Sequence, residues 1–197
     1  YRSTNIKEIR GENFDHLICA GVQAVKWWAN QNPEEDWQGI ESLLEPLSDV
    51  KAERFTLISS IDVYNPPREV DEDSLISKEG HHAYGLHRLN VEEWIKEKFA
   101  EVVILRLPGL FGPGLKKNVI YDMMHDNQLE KVPPHGCFQY YDTRRLAADI
   151  ERCWAEAISL LNVSSEPILT SEIRDRFFPD KVLGGEGTPP GYDMRSK

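Results

Sequence analysis

The sequence has 197 residues, of which 40% are apolar and 28% charged, a composition typical of one water-soluble globular domain. Its formal net charge is −10, and no basic patch larger than Lys116–Lys117 interrupts it, so we expect no nucleic-acid partner. No apolar run approaches the length of about 18 residues that indicates a membrane span. Three scattered cysteines without metal-ligand spacing indicate a reducing cytoplasm and no metal site.

The first part of the chain alternates apolar runs with a helical pattern. "FDHLICAG" (14–21) is a short apolar run that ends in small residues, which predicts a buried strand. Apolar residues recur at helical spacing in 36–50, which predicts a helix. "RFTLISSIDVY" (54–64) is rich in β-branched and apolar residues and predicts a second buried strand.

A polar loop, "NPPREVDEDS" (65–74), separates this strand from a second helical pattern. The stretch "HHAYGLHRLNVEEWIKEKF" (81–99) has apolar residues at roughly helical spacing and predicts an amphipathic helix. "EVVILRLPGLFGPG" (101–114) predicts a third strand that stops at Pro108 and Gly109.

The last part of the chain has two more helical patterns. Residues 143–161 predict a helix, and 160–178 predict a short strand followed by a helix that Thr170 or Ser171 caps. The Gly/Pro-rich tail beyond residue 178 predicts irregular structure.

Strand, helix, strand, helix, strand in this order predicts a parallel sheet covered by helices on both faces, which is a doubly wound α/β fold. Ligands of such sheets bind beyond the carboxyl ends of the strands. Ser60 lies near the end of the second strand, and Tyr84 and Arg88 open the following helix, so we expect all three at this edge. A hydroxyl, a phenol and a cation together suit proton transfer to or from a carbonyl or an alcohol.

Four segments resemble the extended short-chain dehydrogenase/reductase superfamily, specifically its epimerase/dehydratase-like branch. "LISSIDVY" looks like the family's serine/threonine strand, with Ser60 four residues before Tyr64. "YGLHR" looks like its Tyr-x-x-x-Lys segment, and "LRLPGLFGPG" is similar to its loop over the nicotinamide. "FQYYDTRRLAADI" looks like the segment that leads into the late helix of its substrate-binding part.

The order of these segments implies a Rossmann-like NAD(P)-binding domain over residues 1–197, incomplete at its N-terminus. A small C-terminal substrate-binding part would then lie mainly in 114–142 and 163–197. The resemblance also implies a homodimer that pairs through two long helices, one of which carries Tyr84.

The resemblance implies roles for individual residues. Tyr84 would be the acid/base, with its pKa lowered from near 10 by adjacent positive charge. Ser60 would donate a hydrogen bond to the same substrate oxygen, and Arg88 would hold the cofactor ribose. The implied cofactor contacts are Arg2, Ser3, Cys19, Ala20, Gly21, Ser59, Tyr84, Arg88, Pro108, Gly109 and Leu110. The implied substrate contacts are Asp62, Asn118 and Gln139.

Two features depart from the family's pattern. Arg88 stands where the family usually has lysine, and a planar guanidinium does not replace a compact ammonium at a geometric site. The glycine-rich turn that cradles the pyrophosphate is absent from the sequence, so we expect one strand–helix unit of about 25–40 residues upstream of Tyr1. Arg2 and Ser3 would then follow the family's second strand, where an arginine pairs with a 2′-phosphate, which favours NADP over NAD.

These residues together predict an NAD(P)-dependent reductase or epimerase. Its substrate would be carbohydrate-like, such as a sugar nucleotide, or another small carbonyl or alcohol. The alternative is a non-catalytic Rossmann-fold protein that senses or scaffolds while binding a nucleotide. Arg88 favours the alternative, and the register of Ser60 with Tyr84 disfavours it.

Overall fold

The structure, a computed structural model, describes residues 1–186 and 191–197. Its α-helices are α1 (Lys26–Gln31), α2 (Pro33–Leu47), α3 (Ala83–Lys98), α4 (Val119–His125), α5 (Leu146–Ala155) and α6 (Thr170–Phe177). Its strands are β1 (Asn13–Cys19), β2 (Lys51–Ser60), β3 (Arg68–Val70), β4 (Val102–Leu107), β5 (Gly109–Phe111), β6 (Cys137–Phe138), β7 (Tyr140–Asp142), β8 (Leu160–Asn162), β9 (Ile168–Leu169) and β10 (Asp193–Met194). Short 3₁₀ turns cover Ile6–Ile9, Ile61–Val63, Leu129–Lys131 and Thr143–Arg145.

The described residues form two compact units, the first of which contains the main sheet. This unit comprises Tyr1–Pro66, Leu75–Arg106 and Ile150–Leu161. Its four-stranded parallel sheet has the order β1-β2-β4-β8. The prediction of a Rossmann-like α/β fold with a parallel sheet is therefore confirmed.

The core of the first unit lies between the sheet and the helices α2 and α3. Phe55 on β2, Ile95 on α3 and Ile104 on β4 are fully buried. Phe55 also stacks on Phe99, with ring centroids 4.3 Å apart. Because α3 contributes its apolar side to this core, its N-terminal residues are held at the carboxyl edge of β2.

Three predicted elements end earlier than their apolar patterns do. β2 stops at Ser60 instead of continuing to Tyr64, because the Ser60 side chain accepts a hydrogen bond from the backbone N–H of Asp62 and begins a 3₁₀ turn. The third strand divides at Pro108, so that 109–111 becomes the separate strand β5. The helix predicted over 143–161 ends at Ala155, before β8.

The second unit comprises Pro67–Ser74, Leu107–Asp149 and Asn162–Lys197. Within its described residues, short strands pair as β3 with β10, β5 with β7 and β6 with β9. The described tail beyond residue 178 is irregular as predicted, apart from the two-residue strand β10, and β3 lies in the segment predicted as a polar loop.

The predicted cap of α6 is wrong. The residue before this helix is Leu169, whose side chain makes no capping hydrogen bond, and the helix begins at Thr170. The Thr170 hydroxyl is 3.0 Å from the carbonyl oxygen of Gly136 and donates to it. The hydroxyl therefore joins α6 to a neighbouring turn instead of closing its own helix end.

The two ranges predicted to bind substrate, 114–142 and 163–197, both fall in the second unit. Residues 187–190 of the latter range lie outside the described residues. No helix in the described parts of the chain is both long enough and apolar enough to cross a membrane.

Candidate active site

Ser60 and Tyr84 form the centre of the candidate site. The Ser60 hydroxyl accepts a hydrogen bond from the backbone N–H of Asp62, with 3.2 Å between the two atoms. The same hydroxyl donates to the phenol oxygen of Tyr84, which is the second residue of α3. The structure thus brings these two predicted residues into contact at the carboxyl end of β2, while their catalytic roles stay predictions.

The start of α3 is held by side chains from two directions. The Nδ1 atom of His82 accepts from the backbone N–H of Gly85 at 3.0 Å and caps the helix. The Asn30 side chain, on α1, accepts from the backbone N–H of Tyr84 at 2.9 Å. These two bonds satisfy N–H groups that have no partner within the helix.

Gly85 allows α3 to approach the turn that follows β2. A Cβ atom at this position would lie 2.0 Å from the backbone oxygen of Asp62 and 2.2 Å from the His81 ring. Any larger residue would therefore move the helix away from Ser60. The glycine in "AYGLHR" sets the distance between the two halves of the site.

Arg88 is buried and held by an ion pair. Its Nη1 and Nη2 atoms lie 2.5 and 3.0 Å from the two carboxylate oxygens of Asp36 on α2. The same nitrogens donate to the backbone oxygens of Tyr84 and Gln23. His87 also contacts Asp36, with 2.8 Å between its Nδ1 and the carboxylate. The guanidinium predicted to hold the cofactor ribose is engaged within the protein.

The guanidinium carbon of Arg88 lies 3.9 Å from the centre of the Tyr84 ring, which is a cation–π contact. Its Nε atom is buried and has no hydrogen-bond partner among the described residues. Arg88 therefore places its charge against the face of the ring. Its predicted role as the cation beside Tyr84 agrees with this position, and its role toward the ribose stays a prediction.

The pKa of Tyr84 differs from the expectation. Burial raises the pKa above its ordinary value of 10, and the charge of Asp62 acts in the same direction. Arg88, the hydrogen bond from Ser60 and the charge of Lys26 lower the pKa, but burial outweighs them. The predicted lowering is therefore wrong for the protein by itself, because removal of the phenol from water disfavours the phenolate.

Lys26 and Asp62 form a second ion pair beside this phenol. The Nζ atom of Lys26, the first residue of α1, lies 2.6 Å from a carboxylate oxygen of Asp62. Sequence reasoning missed Lys26 because α1 has six residues and no apolar repeat that would predict a helix. A signal was present in the topology, since a helix after β1 of a parallel sheet begins at the ligand-binding edge.

The small residues after β1 lie where the sequence predicts a cofactor loop. Cys19 is buried, and burial raises the pKa of its thiol, which makes it a poor nucleophile. A Cβ atom on Gly21 would lie 3.2 Å from the Leu43 side chain, so the backbone is closely packed there. Arg2 and Ser3 lie exposed in the turn before Ile6–Ile9, and their predicted contact with a cofactor stays a prediction.

Ser59 points away from Ser60, as expected for neighbours on a strand. Its hydroxyl donates to Glu92 on α3 at 2.5 Å. Glu92 also pairs with Arg106 on β4, at 2.6 and 3.0 Å, and Arg106 donates to the Tyr64 hydroxyl at 2.7 Å. This buried network, which we call the Glu92 network, ties α3 to the sheet. The Ser59 hydroxyl is used there, and its predicted cofactor contact stays untested.

Asn118 and Gln139, two predicted substrate contacts in the second unit, both bond to the backbone. The Asn118 side chain caps α4 and also donates to the carbonyl oxygen of Leu110 at 2.7 Å. Gln139 is 2% exposed, and its amide bonds to the backbone of Ser165 and Met194. This geometry assigns both amides to the fold, and their predicted roles at a substrate stay untested.

The loop after Pro108 also serves the fold of the second unit. The backbone N–H of Gly109 donates to the carbonyl oxygen of Gln139 at 3.1 Å and begins the pairing of β5 with β7. A cavity of about 430 Å³ lies beyond β5, lined mainly by 111–115, Ile120, Tyr121, Met124 and His125. The predicted contacts of Pro108, Gly109 and Leu110 with a cofactor stay predictions.

A sequence model of the NAD dependent epimerase/dehydratase family matches residues 2–137. The chain belongs to this family. The resemblance to the epimerase/dehydratase-like branch is therefore confirmed. None of the curated proteins matches the chain at a significant level.

Several solved structures share the fold of this chain. The enzyme WbmG of Bordetella bronchiseptica in complex with NAD is 17% identical with a TM-score of 0.70, over 92% of this chain and 63% of its own. A dTDP-4-dehydrorhamnose reductase from Clostridium acetobutylicum is 16% identical with a TM-score of 0.66, over 93% and 65%. L-threonine 3-dehydrogenase from Trypanosoma brucei is 14% identical with a TM-score of 0.63, over 98% and 64%.

The TM-scores establish a common fold, and sequence identities this low establish no common substrate. The chain spans 63% to 65% of the length of these three structures.

The residues of the first unit fit one end of a nicotinamide dinucleotide. Tyr84, Ser60 and Lys26 offer a phenol, a hydroxyl and an ammonium of the kind that binds the ribose and a reacting oxygen. The sequence offers no glycine-rich turn for the pyrophosphate end. Among residues 1–186 and 191–197, no cluster of three His, Cys, Asp or Glu side chains is arranged to hold a metal ion.

Proposed function

We propose that the protein is an NAD(P)-dependent reductase or epimerase that acts on a carbohydrate-like substrate, such as a sugar nucleotide, or on another small carbonyl or alcohol. The observation that carries this proposal is the hydrogen bond between Ser60 and the buried phenol of Tyr84. Membership of an NAD dependent family supports it. The names of similar structures, which include a sugar-nucleotide reductase, support the substrate class.

In this proposal Tyr84 exchanges a proton with the substrate oxygen. Its raised pKa keeps the phenol protonated at neutral pH, which suits the donation of a proton to a carbonyl that is being reduced. The Ser60 hydroxyl, held by the backbone N–H of Asp62, donates a second hydrogen bond to the same oxygen in place of the one that it donates to Tyr84 in the free protein. A bound nicotinamide supplies or accepts the hydride.

The proposal for the cofactor is NADP, with NAD as the alternative. Arg2 and Ser3 support NADP by their residue types, since an arginine suits a 2′-phosphate. Arg2→Glu in the full-length protein is expected to weaken binding of NADPH and leave that of NADH nearly unchanged. An equal effect on both cofactors, measured by nicotinamide fluorescence, would refute the pairing of Arg2 with a 2′-phosphate.

The substitution Tyr84→Phe in the full-length protein tests the catalytic role. It removes the phenol oxygen and keeps the ring over which Arg88 lies, so turnover is expected to be lost while NADPH binding is retained. Tyr64→Phe is the control, since it removes another buried phenol of the first unit, which bonds to Arg106 in the Glu92 network. A Tyr84→Phe variant with the wild-type rate would refute the assignment.

One observation favours a second candidate, a non-catalytic nucleotide-binding protein. The cation of the tyrosine motif, Arg88, is buried and paired with Asp36 within the protein. If the full-length protein binds NADPH or NADH but Tyr84→Phe leaves every property of the complex unchanged, this candidate is preferred. Failure to bind either cofactor excludes both candidates.

A further inference from the structure

The ion pair of Lys26 with Asp62 lies in the same cluster as the phenol of Tyr84. Lys26 begins α1, Asp62 lies in the turn after β2, and Tyr84 begins α3. The carboxylate of Asp62 is 2.6 Å from the ammonium of Lys26, and its backbone N–H donates to Ser60, which bonds to Tyr84. Three elements thus bring a cation and an anion to the two hydroxyl groups of the site.

Two cations face Tyr84, and they differ in accessibility. The Arg88 side chain is 4% exposed and is held by Asp36 and two backbone oxygens. The Lys26 side chain is 38% exposed, and its carboxylate partner is 13% exposed. Only a partly exposed ammonium on a flexible stem can move between partners, so Lys26 suits interaction with a ligand better than Arg88 does.

We propose that Lys26 is a positioning residue of the active site. Its ammonium, held by Asp62, places a positive charge beside the Tyr84 phenol, as a lysine at position 88 would. The catalytic consequence rests on the proposed function, whereas the electrostatic relationship does not. The role is carried by a different element, since Lys26 lies on α1 and the tyrosine motif on α3.

The charges that face the phenol have defined signs. Lys26 from α1 and Arg88 from α3 favour the phenolate, as does the hydrogen bond from Ser60 on β2. Asp62 opposes them. Removal of the Lys26 charge leaves Arg88 and Ser60 to oppose Asp62 and raises the pKa of Tyr84 further, while removal of the Asp62 charge lowers this pKa. Removal of both charges places the pKa of Tyr84 below that of wild type but above that of Asp62→Asn alone, because Asp62 acts on the phenol more strongly than Lys26 does.

The test is a titration of Tyr84 without cofactor or substrate. The Cζ chemical shift of ¹³C-labelled tyrosine reports ionisation, and Tyr84→Phe identifies the signal. Lys26→Met is expected to move the Tyr84 titration to higher pH and Asp62→Asn to lower pH, with the double variant between Asp62→Asn and wild type. Asp62→Asn removes the charge and keeps the size of the side chain and the backbone N–H that bonds to Ser60.

Lys78→Met is the matched control. Lys78 also pairs with one carboxylate, Glu93, at 2.5 Å on the protein surface. Its replacement by Met is expected to leave the Tyr84 titration unchanged. Lys26→Arg preserves the charge and is expected to restore most of the wild-type titration. If Lys26→Met leaves the titration where it is in wild type, or if Lys78→Met shifts it equally, the proposal is wrong.

Turnover separates this inference from the proposed function. Where the full-length protein reduces a substrate, Lys26→Met is expected to lower kcat/KM at neutral pH, because a phenol with a higher pKa is a weaker proton donor. A shifted titration in a protein without any nicotinamide-dependent turnover refutes the proposed function and leaves the electrostatic inference standing. Nicotinamide-dependent turnover in a protein whose Tyr84 titration does not shift in Lys26→Met refutes the electrostatic inference and leaves the proposed function standing.

Discussion

The guanidinium of Arg88 and the carboxylate of Asp36 form a two-point ion pair that is almost fully removed from water. The two contacts measure 2.5 and 3.0 Å, and the side chains are 4% and 2% exposed. The planar guanidinium matches the two oxygens of a carboxylate, which an ammonium cannot do. Arginine at position 88 is therefore explained by its partner on α2.

This relationship predicts that the family's usual lysine is unfavourable here. Arg88→Lys keeps the charge but loses the second contact with Asp36 and a backbone hydrogen bond, so the free energy of unfolding is expected to fall by about 1.5–3 kcal/mol. Arg152→Lys, whose partner Glu156 lies on the surface, is the control, with an expected change below about 0.5 kcal/mol. Urea unfolding measures both. Equal stability of Arg88→Lys and wild type would contradict the prediction.

The positions of Ser60 and Tyr84 could be predicted because they depend on local patterns. A β-branched apolar run ends near Ser60, and a helical pattern begins near Tyr84, so the topology of a parallel sheet brings both to one edge. The prediction of these positions requires only the periodicity and length of each apolar segment.

The partners of the charged residues could not be predicted in this way. Asp36 lies 52 residues before Arg88, and Lys26 lies 36 residues before Asp62. Their pairing depends on how α1 and α2 pack against α3, and a charge in the first turn of a helix has no periodicity that indicates its partner. The prediction of a lowered pKa for Tyr84 is wrong for the same reason, because the burial that raises this pKa arises from packing.

The close approach of Gly85 to the turn after β2 predicts that a side chain at this position destabilises the protein, and Gly39 in α2 provides a control. Gly85→Ala places a methyl group within 2.0 Å of the Asp62 backbone oxygen, and is expected to lower the free energy of unfolding by about 1–3 kcal/mol. Gly39→Ala, in α2, meets no atom within 4 Å and is expected to raise it by about 0.4–1 kcal/mol. Opposite signs in urea unfolding support the close approach of α3, and two stabilising substitutions would refute it.

The Glu92 network predicts different effects for two adjacent glutamates. Glu92→Gln leaves the buried charge of Arg106 without its carboxylate, and a loss of about 3–5 kcal/mol in the free energy of unfolding is expected. Glu93→Gln removes an exposed pair with Lys78 and is expected to change stability by less than about 1 kcal/mol. Similar losses in both variants, measured by urea unfolding, would show that the network does not stabilise the contact of α3 with the sheet.

The cap of α3 is a histidine, which makes the stability of this helix start depend on pH. The Nδ1 atom of His82 accepts from the N–H of Gly85, which requires the neutral ring. Burial, followed by the charge of Lys26, lowers the pKa of His82 below its ordinary 6.5, while Asp62 opposes them in part. The unfolded chain therefore binds the proton at a higher pH than the folded chain does.

The direction of the pH effect on stability follows from the difference between the His82 pKa in the folded and in the unfolded chain. The contribution of His82 to stability is fully present above the unfolded pKa near 6.5 and is lost as the pH falls below it, because protonation favours the unfolded chain. His82→Asn keeps a capping acceptor that does not titrate. Urea unfolding between about pH 7.5 and about pH 5 is expected to show a steeper loss of stability in wild type than in His82→Asn. Two parallel curves would mean that the cap does not sense pH, and that the neutral form of His82 is not what holds Tyr84 at the start of the helix.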